Sequence, residues 1–178
     1  LEESITSGYK ILKNGGTSQE AVEQSIRIME NSPLFNAGKG AVLTAEKTIE
    51  LDAAFMNGKD LNAGAIASVK TIKNPITAAI KVMEESPHVL LSGRGAEKFA
   101  KEKGIEIVDP SYFFTERREN DLDRIKSIES SANTSPKQVE KEFLSIQKYG
   151  TVGAVALDKQ GNLAAGTSTG GMANKKWN

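Results

Sequence analysis

Hydrophobic side chains recur at helical spacing in two stretches near the start of the chain. The apolar positions are Leu1, Ile5, Gly8/Tyr9 and Leu12 in the first stretch, and Val22, Ser25/Ile26 and Met29 in the second. Asn14-Gly15-Gly16 ends the first predicted helix, and Thr17-Ser18-Gln19-Glu20 opens the second with a capping box. We expect the two helices to form a hairpin that covers one face of a sheet, with their apolar residues in the core.

The middle of the chain changes to short apolar or alternating runs, which are typical of strands. The predicted strands are Ala41–Thr44, Thr48–Met56, Ala63–Ile72 and Val89–Leu91, with Ile105–Val108 a short extended segment. Asn57-Gly58 predicts a two-residue hairpin turn. Asn74-Pro75 predicts a helix start with Asn74 as N-cap, and Ala96–Lys103 predicts a further helix. The pattern as a whole indicates a mixed α+β fold.

Near the end of the chain, hydroxyl side chains and glycines crowd around two strand-length runs. Asp158–Asn162 predicts a hairpin turn between these runs. The pairing brings Thr151, Thr167 and Thr169 to one end of the two strands. Gly150-Thr151 suggests a nucleophile that becomes catalytic when this bond is cut, because the new α-amine, with a pKa near 8, can take the hydroxyl proton. The alternative is an ordinary strand start, since threonine favours strands.

Residues 115–149 differ from the rest in composition. Glu, Arg, Lys, Asp and Ser dominate there, and Asn133-Thr134-Ser135-Pro136 interrupts the segment. This predicts a solvated helix followed by a mobile linker that leads to Gly150. A plain surface connection is the alternative.

Composition narrows the function classes. The 178 residues carry a formal net charge of +0, and the Lys and Arg residues are scattered among Asp and Glu. Neither nucleic acid nor a membrane is therefore an expected partner. The absence of cysteine excludes disulfides and thiolate catalysis. We expect the single histidine, His88, to be structural, and Glu50 and Asp52 to occupy a solvated or hydrogen-bonded strand face rather than to act in catalysis. The compartment stays open: a cytoplasmic location is the simpler expectation, and a periplasmic one is compatible with a chain that begins without Met.

Several motifs together resemble the isoaspartyl peptidase/plant-type L-asparaginase family. They are Ser32-Pro33-Leu34-Phe35-Asn36-Ala37-Gly38-Lys39-Gly40, Glu50-Leu51-Asp52-Ala53, Asn62-Ala63-Gly64-Ala65, Lys73-Asn74-Pro75-Ile76, Ser86-Pro87-His88-Val89, Gly150–Asp158, Gly161–Ala165 and Thr167–Gly171. The resemblance covers nearly the whole chain. Members of that family are N-terminal-nucleophile hydrolases that mature by autocleavage at a Gly–Thr bond.

The resemblance implies a fold and a division of the chain. The fold would be a four-layer αββα sandwich, of which these 178 residues supply about half. Residues 1–114 would be the helix/strand body of the α-subunit, 115–150 the charged linker that ends at the cleavage site, and 151–178 the start of the β-subunit. A first strand would precede Leu1 and a substantial second half would follow Asn178.

The resemblance also implies an activity, site residues and partners. The activity would be hydrolysis of β-aspartyl dipeptides and L-asparagine, with Thr151 as nucleophile, Thr169 as its hydrogen-bond partner, Thr167 as a weaker candidate and Asn36 nearby. No cofactor for the chemistry is implied. A structural sodium ion would be held by main-chain carbonyls of Met29, Glu30, Ser32, Phe35, Ala37 and Lys39. Two cleaved αβ units would associate. A glycosylasparaginase and an uncleaved, non-catalytic amino-acid-binding or assembly domain are the rival interpretations.

Overall fold

The computed structural model describes residues 1–130, 135, 137, 141 and 150–177. The helices among them are α1 (Glu2–Lys13), α2 (Ser18–Glu30), α3 (Pro75–Glu85), α4 (Gly93–Glu102) and α5 (Glu116–Ser130), with 3-10 turns at Gly38–Gly40 and Pro110–Phe113. The strands are β1 (Leu51–Asn57), β2 (Ala63–Val69), β3 (Leu90–Ser92), β4 (Val152–Leu157) and β5 (Leu163–Thr169). This content confirms the α+β prediction.

The strands form one sheet in the order β3-β2-β1-β5-β4. β1 is antiparallel to both β2 and β5, whereas β2 and β3 run parallel. β4 and β5 form the predicted hairpin, in which Val152 pairs with Ser168 and Leu157 with Leu163. The late hairpin is therefore joined to the early strands through β1, and residues far apart in sequence share one sheet.

One face of this sheet is covered by helices. α2 packs on β4 and β5, α3 packs on β1 and β2, and α1 lies outside against α2. The interior between α2, α3 and the sheet is filled by apolar side chains, among them Val22, Ile26, Leu51, Phe55, Ile66, Val69, Ile76 and Val82. The alternation along β1, with Leu51, Ala53 and Phe55 buried, is the pattern of a strand with one face in a core.

The opposite face of the sheet is open in the described part of the chain. It exposes apolar side chains from several strands: Met56, Val155, Leu157 and Leu163. A soluble domain rarely leaves such a face uncovered. The described residues thus form one sheet and one helical layer, and the second sheet and layer of the αββα arrangement stay a prediction for residues outside the described ranges.

Two local predictions between α2 and β2 are wrong. Ala41–Thr44 is buried and extended but is not a strand, because its backbone meets the segment 173–175 through isolated hydrogen bonds, such as Asn174 N–H to the Leu43 carbonyl at 2.9 Å. The β1–β2 hairpin exists, but its loop is longer than two residues. Asn57 N–H donates to the Asn62 carbonyl at 2.9 Å, and Gly58 N–H turns away to Leu163.

The core prediction for α1 is also wrong. Its buried positions are Ser4 and Gly8, while Leu1, Ile5 and Tyr9 are exposed. The Ser4 and Ser25 hydroxyls each donate to the other residue's carbonyl, at 2.9 and 3.1 Å, which turns the small face of α1 toward α2. The capping box that opens α2 is confirmed, since Thr17 and Glu20 exchange both hydrogen bonds.

α5 is a helix, as predicted, but it is not fully solvated. Arg118, Leu122 and Ile125 are buried, and the Arg118 Nε donates to the Gly40 carbonyl at 2.7 Å. The residues between Ser130 and Gly150 lie outside the described ranges apart from Ser135, Lys137 and Lys141. The predicted linker falls mainly on these undescribed residues and stays a prediction. Across the described helices, none combines the length and the apolar character that crossing a bilayer requires.

Candidate active site

Thr151 and Thr169 meet at the end of the β4–β5 hairpin. The Thr151 hydroxyl donates to Thr169 Oγ1 at 2.9 Å. The register explains the contact: Val152 pairs with Ser168, so the residues one step further out lie side by side. Thr151 is exposed and directly precedes β4, with Gly150 before it. The described geometry thus presents a threonine oxygen at a strand start, next to a second hydroxyl.

A tight turn holds the Thr169 hydroxyl. Gly171 N–H donates to Thr169 Oγ1 at 3.0 Å. A hydroxyl oxygen has two acceptor lone pairs. Gly171 uses one of them and Thr151 the other, which directs the Thr151 proton toward Thr169 and leaves the Thr151 lone pairs facing away. Thr169 thereby orients the candidate nucleophile.

Asn36 ties this turn to the loop after α2. Its Nδ2 donates to the Gly171 carbonyl at 2.7 Å, and its Oδ1 accepts from Val42 N–H at 3.0 Å. Gly170 N–H donates to the Asn36 carbonyl at 3.1 Å. Gly170 must be small here, because a Cβ would lie 2.7 Å from Asn36 Oδ1. Asn36 is 5% exposed. It stabilises the turn, and it lies near Thr151 as predicted, connected to it through Gly171 and Thr169.

Thr167 occupies a different position. It pairs with Gly153 and with Ala54. It lies two residues before Thr169 on β5 and therefore on the same exposed face of the sheet. Asp52 is the residue that pairs with Thr169 from the β1 side. Its Oδ1 accepts from Ser68 N–H at 2.9 Å, at an irregularity in the β1–β2 pairing. Thr151, Thr169 and Asp52 therefore form a row across three strands.

In the loop after α2, two glycines lie close to main-chain carbonyls. Gly38 has φ of +50°, and a Cβ there would lie 2.3 Å from the Glu30 carbonyl oxygen. A Cβ at Gly40 would meet the Phe35 carbonyl oxygen at 2.2 Å. Oxygen ligands of this kind suit a hard cation. The sodium site formed by six carbonyls stays a prediction. Within the described ranges, no three His, Cys, Asp or Glu side chains are grouped as a metal centre.

The carboxylate of Glu30 is fully buried beneath the candidate site. The sequence analysis named only the main-chain carbonyl of this residue. Glu30 Oε1 accepts from Ile76 N–H at 2.9 Å and its Oε2 accepts from Asn74 Nδ2 at 3.0 Å. Glu30, not the predicted Asn74 side chain, thereby caps the start of α3. Burial raises the pKa of Glu30 to about 7, although the Ser168 hydroxyl, Ile76 N–H and the Asn74 amide favour its ionised form.

Glu50 was expected on a solvated or hydrogen-bonded face, and the structure buries it between two lysines. It is 4% exposed, with Lys70 Nζ 3.1 Å from Oε1 and Lys175 Nζ 3.6 Å from Oε2. Lys175 also donates to the Gly170 carbonyl at 3.4 Å, in the turn that holds Thr169. No periodicity marks Lys175, whose neighbour Lys176 has the same side chain but is exposed.

His88 plays no part in this arrangement. It is exposed just before β3, and β3 and β4 are the two opposite edges of the sheet. A sheet under a helical layer, with a threonine after a glycine at the start of an edge strand, agrees with the N-terminal-nucleophile hydrolase class that the sequence resemblance predicts.

Comparison with known proteins gives the same class. A profile of the asparaginase family matches residues 1–177. An isoaspartyl peptidase/L-asparaginase of Mus musculus is 47% identical over 176 residues, which are 98% of this chain and 51% of the mouse protein. The isoaspartyl peptidase of Escherichia coli (strain K12) is 47% identical over 175 residues, 98% of this chain and 54% of the bacterial protein. A putative isoaspartyl peptidase/L-asparaginase of Dictyostelium discoideum is 46% identical over 199 aligned residues, 98% of this chain and 58% of that protein.

The chain belongs to the asparaginase family, whose fold is of the N-terminal-nucleophile hydrolase type. It spans about half the length of the curated relatives that it matches.

Proposed function

We propose that the whole protein is an autocleaving amidohydrolase that acts on β-aspartyl (isoaspartyl) dipeptides and L-asparagine. The names of the relatives supply the substrate class. The observation that carries the proposal is the 2.9 Å hydrogen bond from the Thr151 hydroxyl to Thr169, directly after Gly150. A hydroxyl in that position needs only a neighbouring base to become a nucleophile.

The chemistry has two stages at one oxygen. Water first hydrolyses the Gly150–Thr151 amide, which leaves a carboxylate on Gly150 and turns the Thr151 nitrogen into an α-amine with an ordinary pKa near 8. Thr151 Oγ1 then attacks the side-chain amide carbon of the substrate, and the amine takes the hydroxyl proton and passes it to the leaving nitrogen. Water hydrolyses the resulting acyl-enzyme and releases aspartate. Before the attack, Thr169 accepts a hydrogen bond from the Thr151 hydroxyl. Once the amine has taken that proton, the Thr169 hydroxyl would donate to the Thr151 oxygen instead and keep it in place.

Cleavage would not release the nucleophile from the sheet. β5 lies between β4 and β1, and it pairs with β1 from Asn57–Ala164 through Asp52–Thr169. A subunit that starts at Thr151 therefore remains hydrogen-bonded to the body formed by residues 1–114. This is consistent with the proposed division at 150/151. The new C-terminus at Gly150 would withdraw after the cut, while α5 stays packed through Arg118, Leu122 and Ile125.

Two further features complete the proposal. A sodium ion would sit in the loop after α2, held by the carbonyls of Met29, Glu30, Ser32, Phe35, Ala37 and Lys39, where it would keep Asn36 in place. Support comes from the close approach of Gly38 to the Glu30 carbonyl. The mature form would be a pair of cleaved αβ units, and this rests on the family resemblance.

The test is intact-mass analysis of the full-length protein, followed by assays with β-aspartyl-leucine, L-asparagine and a glycosylated asparagine. We expect two masses that correspond to a break at Gly150–Thr151, and turnover of the first two substrates. Thr151→Ala should give one uncleaved chain without activity. Thr167→Ala is the matched control, since Thr167 lies one step away on the same face, and it should cleave and turn over.

Two outcomes would redirect the proposal. A stable single chain whose Thr151→Ala variant behaves identically would indicate a non-catalytic binding or assembly domain. Cleavage accompanied by turnover of the glycosylated asparagine alone would indicate a glycosylasparaginase.

A further inference from the structure

A buried carboxylate, Glu50, lies near the turn that carries the Thr169 hydrogen bond and has two lysine partners. The Glu50 carboxylate is 4% exposed and would be costly to bury without positive partners. Lys70 lies 3.1 Å from Oε1 and Lys175 lies 3.6 Å from Oε2. The two lysines therefore share one carboxylate, and each lies near a different oxygen of it.

Only one of the two lysines also reaches the turn. Lys175 Nζ donates to the Gly170 carbonyl at 3.4 Å. It also lies near Gly171, where a Cβ would be 3.3 Å from Nζ. The next amide along the chain, Gly171 N–H, is the donor to Thr169 Oγ1 at 3.0 Å. A contact on the Gly170 carbonyl acts on the orientation of that amide, because both groups belong to the same peptide unit.

We propose that Lys175 is a positioning residue: it anchors the Gly170–Gly171 peptide unit to the buried Glu50 carboxylate and so fixes the hydrogen bond that orients Thr169 and Thr151. The catalytic part of this inference rests on the proposed function. Lys175 touches neither Thr151 nor Thr169 and acts through the turn alone. Its ammonium group has three donors on a single centre, so it can donate to the Gly170 carbonyl while its charge lies 3.6 Å from Glu50 Oε2.

The position of the two lysines yields a matched pair of variants. Lys175→Met and Lys70→Met each remove one positive partner of Glu50 and keep an apolar stem of similar length. Both variants should lower the melting temperature, because each leaves the buried Glu50 carboxylate with one positive partner. Only Lys175→Met releases the turn. Stability and catalysis should therefore separate between the two variants.

The experiment uses the full-length protein and three measurements: melting temperature, kcat and KM with L-asparagine, and amide hydrogen exchange of the peptide that contains Gly171. We expect Lys175→Met to lower kcat by roughly 10- to 100-fold with KM changed less than about threefold, because a small displacement of an orienting group costs that much. Its Gly171 amide should exchange at least about tenfold faster. Lys70→Met should leave kcat and the exchange rate within about threefold of the wild type.

Lys175→Arg provides the rescue. It keeps the charge but spreads its donors over a planar fork, so its kcat should fall between those of the wild type and Lys175→Met. If Lys175→Met fails to fold, a kcat for Lys175→Arg lowered about threefold or more beside an unaltered Lys70→Arg supports the inference. Wild-type kcat in Lys175→Arg would then overturn it and leave Lys175 a folding role only.

Other results would also test the positioning role of Lys175. Equal losses of kcat in Lys175→Met and Lys70→Met would mean that both act through burial of Glu50, and would overturn the positioning role. Unaltered Gly171 exchange in Lys175→Met would overturn it as well. If the wild type neither cleaves nor hydrolyses substrate, the proposed function fails, while the exchange measurement still tests whether Lys175 holds the turn.

Discussion

The buried carboxylate of Glu30 should make the stability of the protein depend on pH in a defined window. Its pKa rises from an ordinary 4.5 to about 7, and burial is the largest cause. The native state therefore holds this proton more tightly than the unfolded chain does. Between pH 4.5 and 7 the native state binds more protons, so stability falls as the pH rises through that window and levels off above it.

The size of the effect follows from the two pKa values. A rise from 4.5 to about 7 corresponds to about 3 kcal/mol, at roughly 1.36 kcal/mol for each pKa unit. The perturbation is Glu30→Gln, which keeps the shape and the carbonyl acceptor for Ile76 N–H but cannot ionise. In the wild type, the protonation-dependent part of the stability should be fully present at pH 4.5 and absent above pH 7. In the variant it should be missing at every pH.

The assay is urea unfolding of the full-length protein at several pH values from 4.5 to 8, in a Thr151→Ala background that keeps one uncleaved chain. Subtracting the two unfolding curves isolates Glu30, because all other groups titrate in both proteins. We expect the difference in unfolding free energy to fall by about 3 kcal/mol across the window. Asn74→Ala removes the amide that donates to Glu30 Oε2 at 3.0 Å and favours the ionised form, so it should move the fall to higher pH. Parallel curves for wild type and Glu30→Gln would refute the reasoning.

Two further predictions concern the turn and the loop. Thr169→Val keeps the β-branched shape but removes the acceptor of the Thr151 hydroxyl, and kcat with L-asparagine should fall about 100-fold with KM nearly unchanged; a kcat within about threefold of wild type would contradict the orienting role. Gly38→Ala places a Cβ 2.3 Å from the Glu30 carbonyl at φ +50° and should cost about 2 kcal/mol or more in urea unfolding. Gly161→Ala, at φ +83° with no atom within 4 Å, is the control and should cost about 1 kcal/mol.

The contact between Thr151 and Thr169 was predictable because it is local. The turn Asp158–Asn162 closes as expected, with Asp158 N–H donating to the Asn162 carbonyl at 3.0 Å. Once that turn sets the register, the residues at equal distance on both strands must meet. The capping box at Thr17 is predictable for the same reason, since both partners lie within one turn of α2.

The contacts behind the threonines were not predictable from periodicity. Asn36 and Gly171 are 135 positions apart, and Glu30 and Asn74 are 44 apart. Such pairs depend on how the helices pack on the sheet. The type of a polar residue does not reveal whether its position is buried or exposed. The prediction of the buried face of α1 was wrong for a related reason. The stripe of leucine, isoleucine and tyrosine predicts burial, but α1 contacts α2 closely through serine and glycine.

The donors around Thr151 also indicate which part of the chemistry the described residues carry. An acyl transfer needs hydrogen-bond donors aimed at the oxygen that becomes negative. Gly171 N–H is already committed to Thr169, and Gly170 N–H to the Asn36 carbonyl. Neither amide can serve that oxygen without releasing the turn that orients the nucleophile. Orientation of the hydroxyl therefore belongs to the described residues, and we expect the oxyanion donors to lie outside them.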